Sequence, residues 1–174
     1  VDGLTAEERV LAWQSGWHPS FAGVAIVNSD FTFRSVNPQF CKILGVTPAD
    51  LLENRFQDIT HPDSKKIDER NAKLVRDGKI DFYLLKKSYL FEGGREVKVV
   101  LLVTRVPTGD QPFKFFLSRI MLDESGKPAQ SLSDISHLKQ TKTVMDTLIS
   151  NGKGLIALAG ILGACVAAFM GAFQ

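Results

Sequence analysis

Asn54-Arg-Phe-Gln-Asp-Ile-Thr-His-Pro-Asp-Ser64 is the stretch around which the rest of the chain is read. Phe56 and Ile59 form an apolar pair that anchors a short irregular run. Pro62 disfavours helix at His61, and Asp63 or Ser64 supplies an N-cap for a helix from Lys65 to Arg76. Ile67, Leu74 and Val75 are the apolar contacts of that helix, and Asp77-Gly78 stops it. Upstream, from Ala22 to Leu52, lie a strand pair and short helices. Downstream lie long strands.

Working outward, Gly23-Val-Ala-Ile-Val27 is a compact apolar run and Asn28-Ser-Asp30 a turn cluster. Phe31 to Val36 alternates, with Phe31, Phe33 and Ser35 on one side, so the two runs read as a tight hairpin. Asn37-Pro38 opens a helix with Asn37 as N-cap and Pro38 at the first position. Phe40, Ile43 and Leu44 share one face of it, and Gly45 ends it. Thr47-Pro-Ala-Asp-Leu-Leu52 is a second capped helical turn. Downstream, Ile80–Phe91 and Val97–Val106 pair as a hairpin about Glu92-Gly-Gly-Arg95, where glycine supplies the positive φ of a tight turn. Val97–Val103 is almost wholly apolar, which fits a central strand covered on both faces. Thr108–Pro112 is a loop, Phe113–Leu122 a strand and Glu124–Pro128 a turn.

The run Val36-Asn-Pro-Gln-Phe-Cys-Lys-Ile-Leu-Gly-Val-Thr-Pro-Ala-Asp-Leu-Leu52, followed by Thr60-His-Pro-Asp63 before a helix, resembles the PAS domain family. Ser133-Asp-Ile-Ser136 is similar to the Asp-Ile-Thr phrase that closes such domains, with Ser136 in place of Thr. The resemblance implies an α+β fold: a five-stranded antiparallel sheet, with a sixth strand allowed, and short helices on one face. It divides the chain into an N-terminal cap helix at 1–19, a PAS domain at 20–136, a linker helix at 137–153 and a C-terminal membrane helix at 154–173.

The two ends carry their own patterns. Thr5-Ala-Glu-Glu8 matches a capping box, and Val10, Trp13 and Trp17 follow at helical spacing. The family resemblance implies that such a helix packs on the sheet or on a partner subunit. Ile135, Leu138, Lys142, Met145 and Ile149 fall at three-four spacing, which suits a two-heptad seam or an ordinary amphipathic linker. Val10, Trp13, Trp17, Ile135, Leu138 and Met145 are therefore the candidate interaction residues.

Gly154 to Phe173 holds no charged residue. Twenty helical residues reach about 30 Å, the thickness of a bilayer's hydrocarbon core. Lys139, Lys142 and Lys153 on one side place the folded domain on the cytoplasmic side of a single-pass membrane protein. Gly160, Gly163, Ala164, Ala167 and Gly171 make small-residue rows for membrane-helix packing. A helix buried inside a protein assembly has the same composition.

A net charge of +2, with basic and acidic residues interspersed, gives no footprint for nucleic acid. Cys41 and Cys165 form neither a disulfide framework nor a metal spacing. No catalytic motif occurs, so the chain reads as no enzyme. Within the family, flavin photoreceptors carry a reactive cysteine where this chain has Asn54. Haem binders place histidine on or beside the central helix, and Lys65–Arg76 has none. His61 is expected to bond to its neighbours, and Asp63, Asp68 and Glu69 to form a charged helix face. No cofactor is expected.

Two functions follow from these readings. One is a membrane-tethered sensory or protein-interaction module, acting through itself, other membrane subunits and the lipid bilayer. The other is an accessory subunit of a membrane-embedded or virion assembly, with the fold as scaffold. A polar cavity of about 300 Å3 or more marks the first, with a small-molecule ligand. A cavity filled by side chains marks the second.

Overall fold

The computed structural model describes residues 23–105, 115–135, 154–158 and 165–169. Strands β1 (Gly23–Asn28) and β2 (Phe33–Val36) pair antiparallel, with a bulge at Ile26/Val27. Asp30 Oδ1 closes the turn by accepting from Thr32 N–H at 3.0 Å and Thr32 Oγ1 at 2.6 Å. Phe31, Phe33 and Ser35 are all buried, as the alternation requires.

Asn37 caps helix α1 (Pro38–Leu44) with Pro38 in the first turn. Its Oδ1 accepts from Phe40 N–H at 2.8 Å and from Val24 N–H at 3.0 Å. One side chain thus caps the helix and ties it to β1, and a cap of this type contributes about 1 kcal/mol. Gly45 ends α1 in the left-handed region, φ 66°. Arg95, from the far hairpin, donates to Leu44 O at 2.7 Å. Helix α2 (Pro48–Leu51) opens on a capping box between Thr47 and Asp50.

Phe56–Ile59 is a 3-10 turn. Helix α3 runs from Pro62 to Arg76, three residues longer at its start than the sequence suggested. His61 is the N-cap, with non-helical φ −54° and ψ 137°, and its Nδ1 accepts from Asp63 N–H at 3.2 Å. The earlier start follows from Pro62, whose fixed φ and absent N–H suit the first helical position.

Strands β3 (Phe82–Leu90) and β4 (Glu96–Arg105) pair in unbroken register from Phe82↔Thr104 to Leu90↔Glu96. Gly93 and Gly94 turn the hairpin at φ 78° and 81°. Strand β5 (Phe115–Ile120) lies between β4 and β1. Asp123 Oδ1 organises the next turn, accepting from Ser125 and Lys127 N–H. Asp134, in α4 (Leu132–Ile135), bonds back to Gln130 and Ser131 N–H. The five strands β1–β5 form the antiparallel sheet expected, in the order β2-β1-β5-β4-β3 with β4 an interior strand, and α1–α3 pack on one face. Their shared core holds Phe40, Leu44, Leu51 and Val75 against Ala25, Leu85, Leu101 and Phe116.

The expectation for residues 154–173 is overturned. That run contains strands β6 (Gly154–Leu158) and β7 (Cys165–Phe169), which extend the sheet to the order β2-β1-β5-β4-β3-β6-β7. Strand β6 pairs parallel with β3, and β7 antiparallel with β6. Among the described residues no helix is long and apolar enough to cross a membrane. The membrane helix, the single-pass cytoplasmic-side placement and the bilayer as partner therefore fall together. The physical reason is that β3 would otherwise be an open sheet edge, with backbone donors and acceptors that an apolar strand satisfies.

Candidate functional site

The space between the sheet and α3 holds a polar cluster inside an aromatic shell. Asp68 projects from α3, one turn beyond Ser64 on the same buried stripe that continues through Asn71, Ala72 and Val75. Lys87 projects from β3, where Tyr83, Leu85, Lys87 and Tyr89 alternate onto the inner face. Asp68 is 1% exposed and Lys87 2% exposed. Their charged ends form an ion pair.

Each polar atom of the cluster has a partner. Tyr83 OH donates to Asp68 Oδ1 at 2.8 Å. Lys87 Nζ donates to Asp68 Oδ2 and, at 3.0 Å, to Thr60 Oγ1. Thr60 in turn donates to Phe56 O at 2.7 Å. The Lys87 ammonium lies 4.3 Å from the centre of the Tyr89 ring and 5.3 Å from that of Phe56. Thr60 reaches the cluster because the stretch 54–64 is stitched to β3: Thr60 bridges Tyr89, and His61 N–H donates to Ser88 O at 2.9 Å.

Burial pushes the Lys87 ammonium below its ordinary range, while the charge of Asp68 and its hydrogen bond oppose the shift. Burial first, and Asp68 second, push the Tyr83 and Tyr89 phenols up. A buried ion pair stripped of one partner strands a charge, so geometry of this completeness is what makes the pair tolerable.

The remaining cavity is about 10 Å3, bounded by Asp68, Lys87, Tyr83, Tyr89, Phe56 and Phe116 among others. That is room for about one water, far below the several hundred Å3 of a ligand pocket. Among the described residues no group of three metal-ligating side chains occurs. Asn71 Nδ2 and Gln57 Oε1 are buried without a hydrogen-bond partner among those residues.

Of the sequence candidates, Val10, Trp13, Trp17, Leu138, Met145, Gly160, Gly163, Ala164 and Gly171 lie outside the described residues. The backbone of Ile135 ends α4, and that of Ala167 lies in β7, not in a membrane helix. Cys41 is buried, and burial raises its thiol pKa, in keeping with a packing role. Glu69 does belong to a charged helix face, paired with Lys73 at 2.9 Å. Asp68 does not; it faces the core. Asp68, Lys87, Tyr83 and Thr60 were missed as a group. The available signal was the four-residue step Ser64-Asp68-Ala72 shared with Val75, and the strand parity that puts Lys87 beside Tyr89.

Residues 22–137, about two thirds of the chain, match the model of the PAS domain family. The chain belongs to that family. The matched PAS region is a sensor fold without catalysis of its own. A probable diguanylate cyclase of Escherichia coli K12 is 26% identical over 130 residues, covering 75% of this chain and 11% of that protein. A sensor histidine kinase of Ectopseudomonas mendocina is 26% identical over 147 residues, covering 83% of this chain and 14% of that protein. The PAS chain thus spans less than a sixth of either relative. Among solved structures, the PAS-B domain of Drosophila melanogaster Cycle with bound ethylene glycol superposes with a TM-score of 0.51 at 8% identity, over 57% of this chain and 97% of that domain. At that identity the likeness shows the fold alone.

Proposed function

We propose that this chain is a PAS sensory or protein-interaction module that passes its state by contact to partner proteins or to domains joined to it. The observation that carries the reading is the Asp68–Lys87 pair; the space of about 10 Å3 beside it has no room for a cofactor, which makes contact rather than a held ligand the route of the signal. The pair also joins α3 to β3, so a change in one element is felt by the other. Relatives named as a cyclase and a kinase, of which this chain matches only a small part, support a regulatory rather than catalytic role.

The test is a fusion of the chain to the catalytic region of a sensor histidine kinase, with autophosphorylation measured for the parent and for Asp68→Asn. The parent fusion is expected to differ from the variant by several-fold while both remain folded. Equal rates would sink the signalling reading and leave the scaffold reading, which the same filled cavity favours. A visible absorption band from the purified chain would overturn the cofactor-free part of the proposal.

A further inference from the structure

We infer that the interior of this module is a binding site for a primary ammonium group, occupied in the resting protein by the chain's own Lys87. The inference rests on the proposed function only in taking the cavity to have no larger occupant. A simple core ion pair needs one carboxylate facing one amine. Here the ammonium meets a fuller set of partners: the Asp68 carboxylate, the Thr60 hydroxyl at 3.0 Å, and the ring faces of Tyr89 at 4.3 Å and Phe56 at 5.3 Å. Aromatic faces and a carboxylate around one cation are the chemistry by which proteins recognise alkylammonium ligands.

The remaining hydrogen bonds point the same way. Tyr83 donates to the other oxygen of Asp68, which orients the carboxylate toward the cation. Thr60 sends its own proton to Phe56 O, so the hydroxyl presents a lone pair to Nζ. Each of these four partners of the nitrogen is therefore an acceptor or a π-face. An anionic ligand would meet Asp68, and a neutral alcohol would leave the carboxylate's charge unanswered. The four-carbon stem of Lys87 runs in from β3 and serves as the tether. A free primary amine of matching reach is equivalent once the tether is removed.

The experiment uses the full chain with Lys87→Ala, which removes Cγ, Cδ, Cε and Nζ, the atoms of n-propylamine. At pH 7 n-propylammonium is expected to raise the thermal midpoint of the variant saturably, and to do so at least twice as much as in the parent. n-Propanol, of equal size and uncharged, is expected not to. Adding Asp68→Asn to Lys87→Ala should remove the amine-specific rise. If Lys87→Ala is unfolded alone, n-propylammonium should restore its far-ultraviolet circular dichroism and n-propanol should not. Lys87→Met, whose side chain takes the place of most of the lysine stem, should ignore the amine. Equal effects of amine and alcohol, an equal response from the parent, a response that survives Asp68→Asn, or failure of the amine to restore an unfolded variant would each overturn the inference. The fusion assay reads output rather than occupancy, so the two proposals fail separately.

Discussion

The two faces of the central sheet are both buried, and they are buried differently. The inner face carries Ala25, Val27, Tyr83, Leu85, Leu101, Val103 and Phe116, packed under α1–α3, with the buried Lys87 among them. The outer face carries Val24, Ile26, Phe82, Leu84, Val100, Leu102 and Leu117, equally inaccessible but outside that core cluster. The inner face accommodates a charged pair because each charged atom has a hydrogen-bond partner. The outer face holds Arg119, whose Nε is buried without a partner among the described residues and whose pKa is lowered by burial. Arg119 is only half-buried as a residue, so its guanidinium can reach toward water along its apolar stem. The contrast shows that polarity in this sheet is tolerated either by complete pairing or by partial exposure, one device to each face.

The largest effect should come from breaking the pairing. Lys87→Met leaves Asp68 as an uncompensated buried charge and should cost about 3–5 kcal/mol in urea unfolding. Asp68→Leu combined with Lys87→Met should recover most of that loss, since both charges then leave together. If the double variant is as unstable as the single one, packing and not charge pairing governs the inner face.

Next come matched truncations, Leu85→Ala inside and Leu102→Ala outside. Both residues are buried, so each should cost about 2–5 kcal/mol. A loss below about 1 kcal/mol for Leu102→Ala alone would show that the outer face is not closed in solution. Gly23→Ala sharpens the picture of the inner face. A Cβ there would lie 3.0 Å from Phe40 Cα and 3.1 Å from Ile43 Cδ1, so α1 must move, at about 1–3 kcal/mol.

The smallest effect at neutral pH concerns the only two tyrosines, Tyr83 and Tyr89, both buried on the inner face. Their phenols titrate above the ordinary value of 10 in the fold. The folded state therefore holds protons that the unfolded chain releases, and stability is present below pH 10 and lost above it. Phenolate absorbance should stay flat as pH passes 10 and then rise together with unfolding. A gradual rise through pH 10 in the folded protein would place one of the rings at the surface.

The sequence was legible where chemistry is local. Asn37, Pro38, Gly45 and Thr47 set caps and stops from their own backbone preferences, and the hairpins follow from Asn28–Asp30 and Gly93-Gly94. The start of α3 lies earlier than the capping pattern suggests because Pro62, which disfavours helix at His61, is itself a good first helical residue. Asp68 and Lys87 were opaque because the burial of each depends on the other, from elements apart in sequence. The tail is ambiguous in sequence because an uncharged apolar run of twenty residues satisfies a membrane helix or two short strands alike. What decides is the presence of a free β3 edge, a tertiary fact.

That edge has a consequence for the order of folding. Strand β3 can zip with β4 through a tight turn, whereas its other neighbour, β6, arrives parallel and from much later in the chain. Contacts between distant segments carry a larger loop-closure cost and form late. During synthesis the row of β3 backbone groups that β6 will cover is therefore open until residue 158 has emerged. In that interval a second nascent chain can add its own strand there, so chain shortening before β6 should turn a folding intermediate into a seed for aggregation.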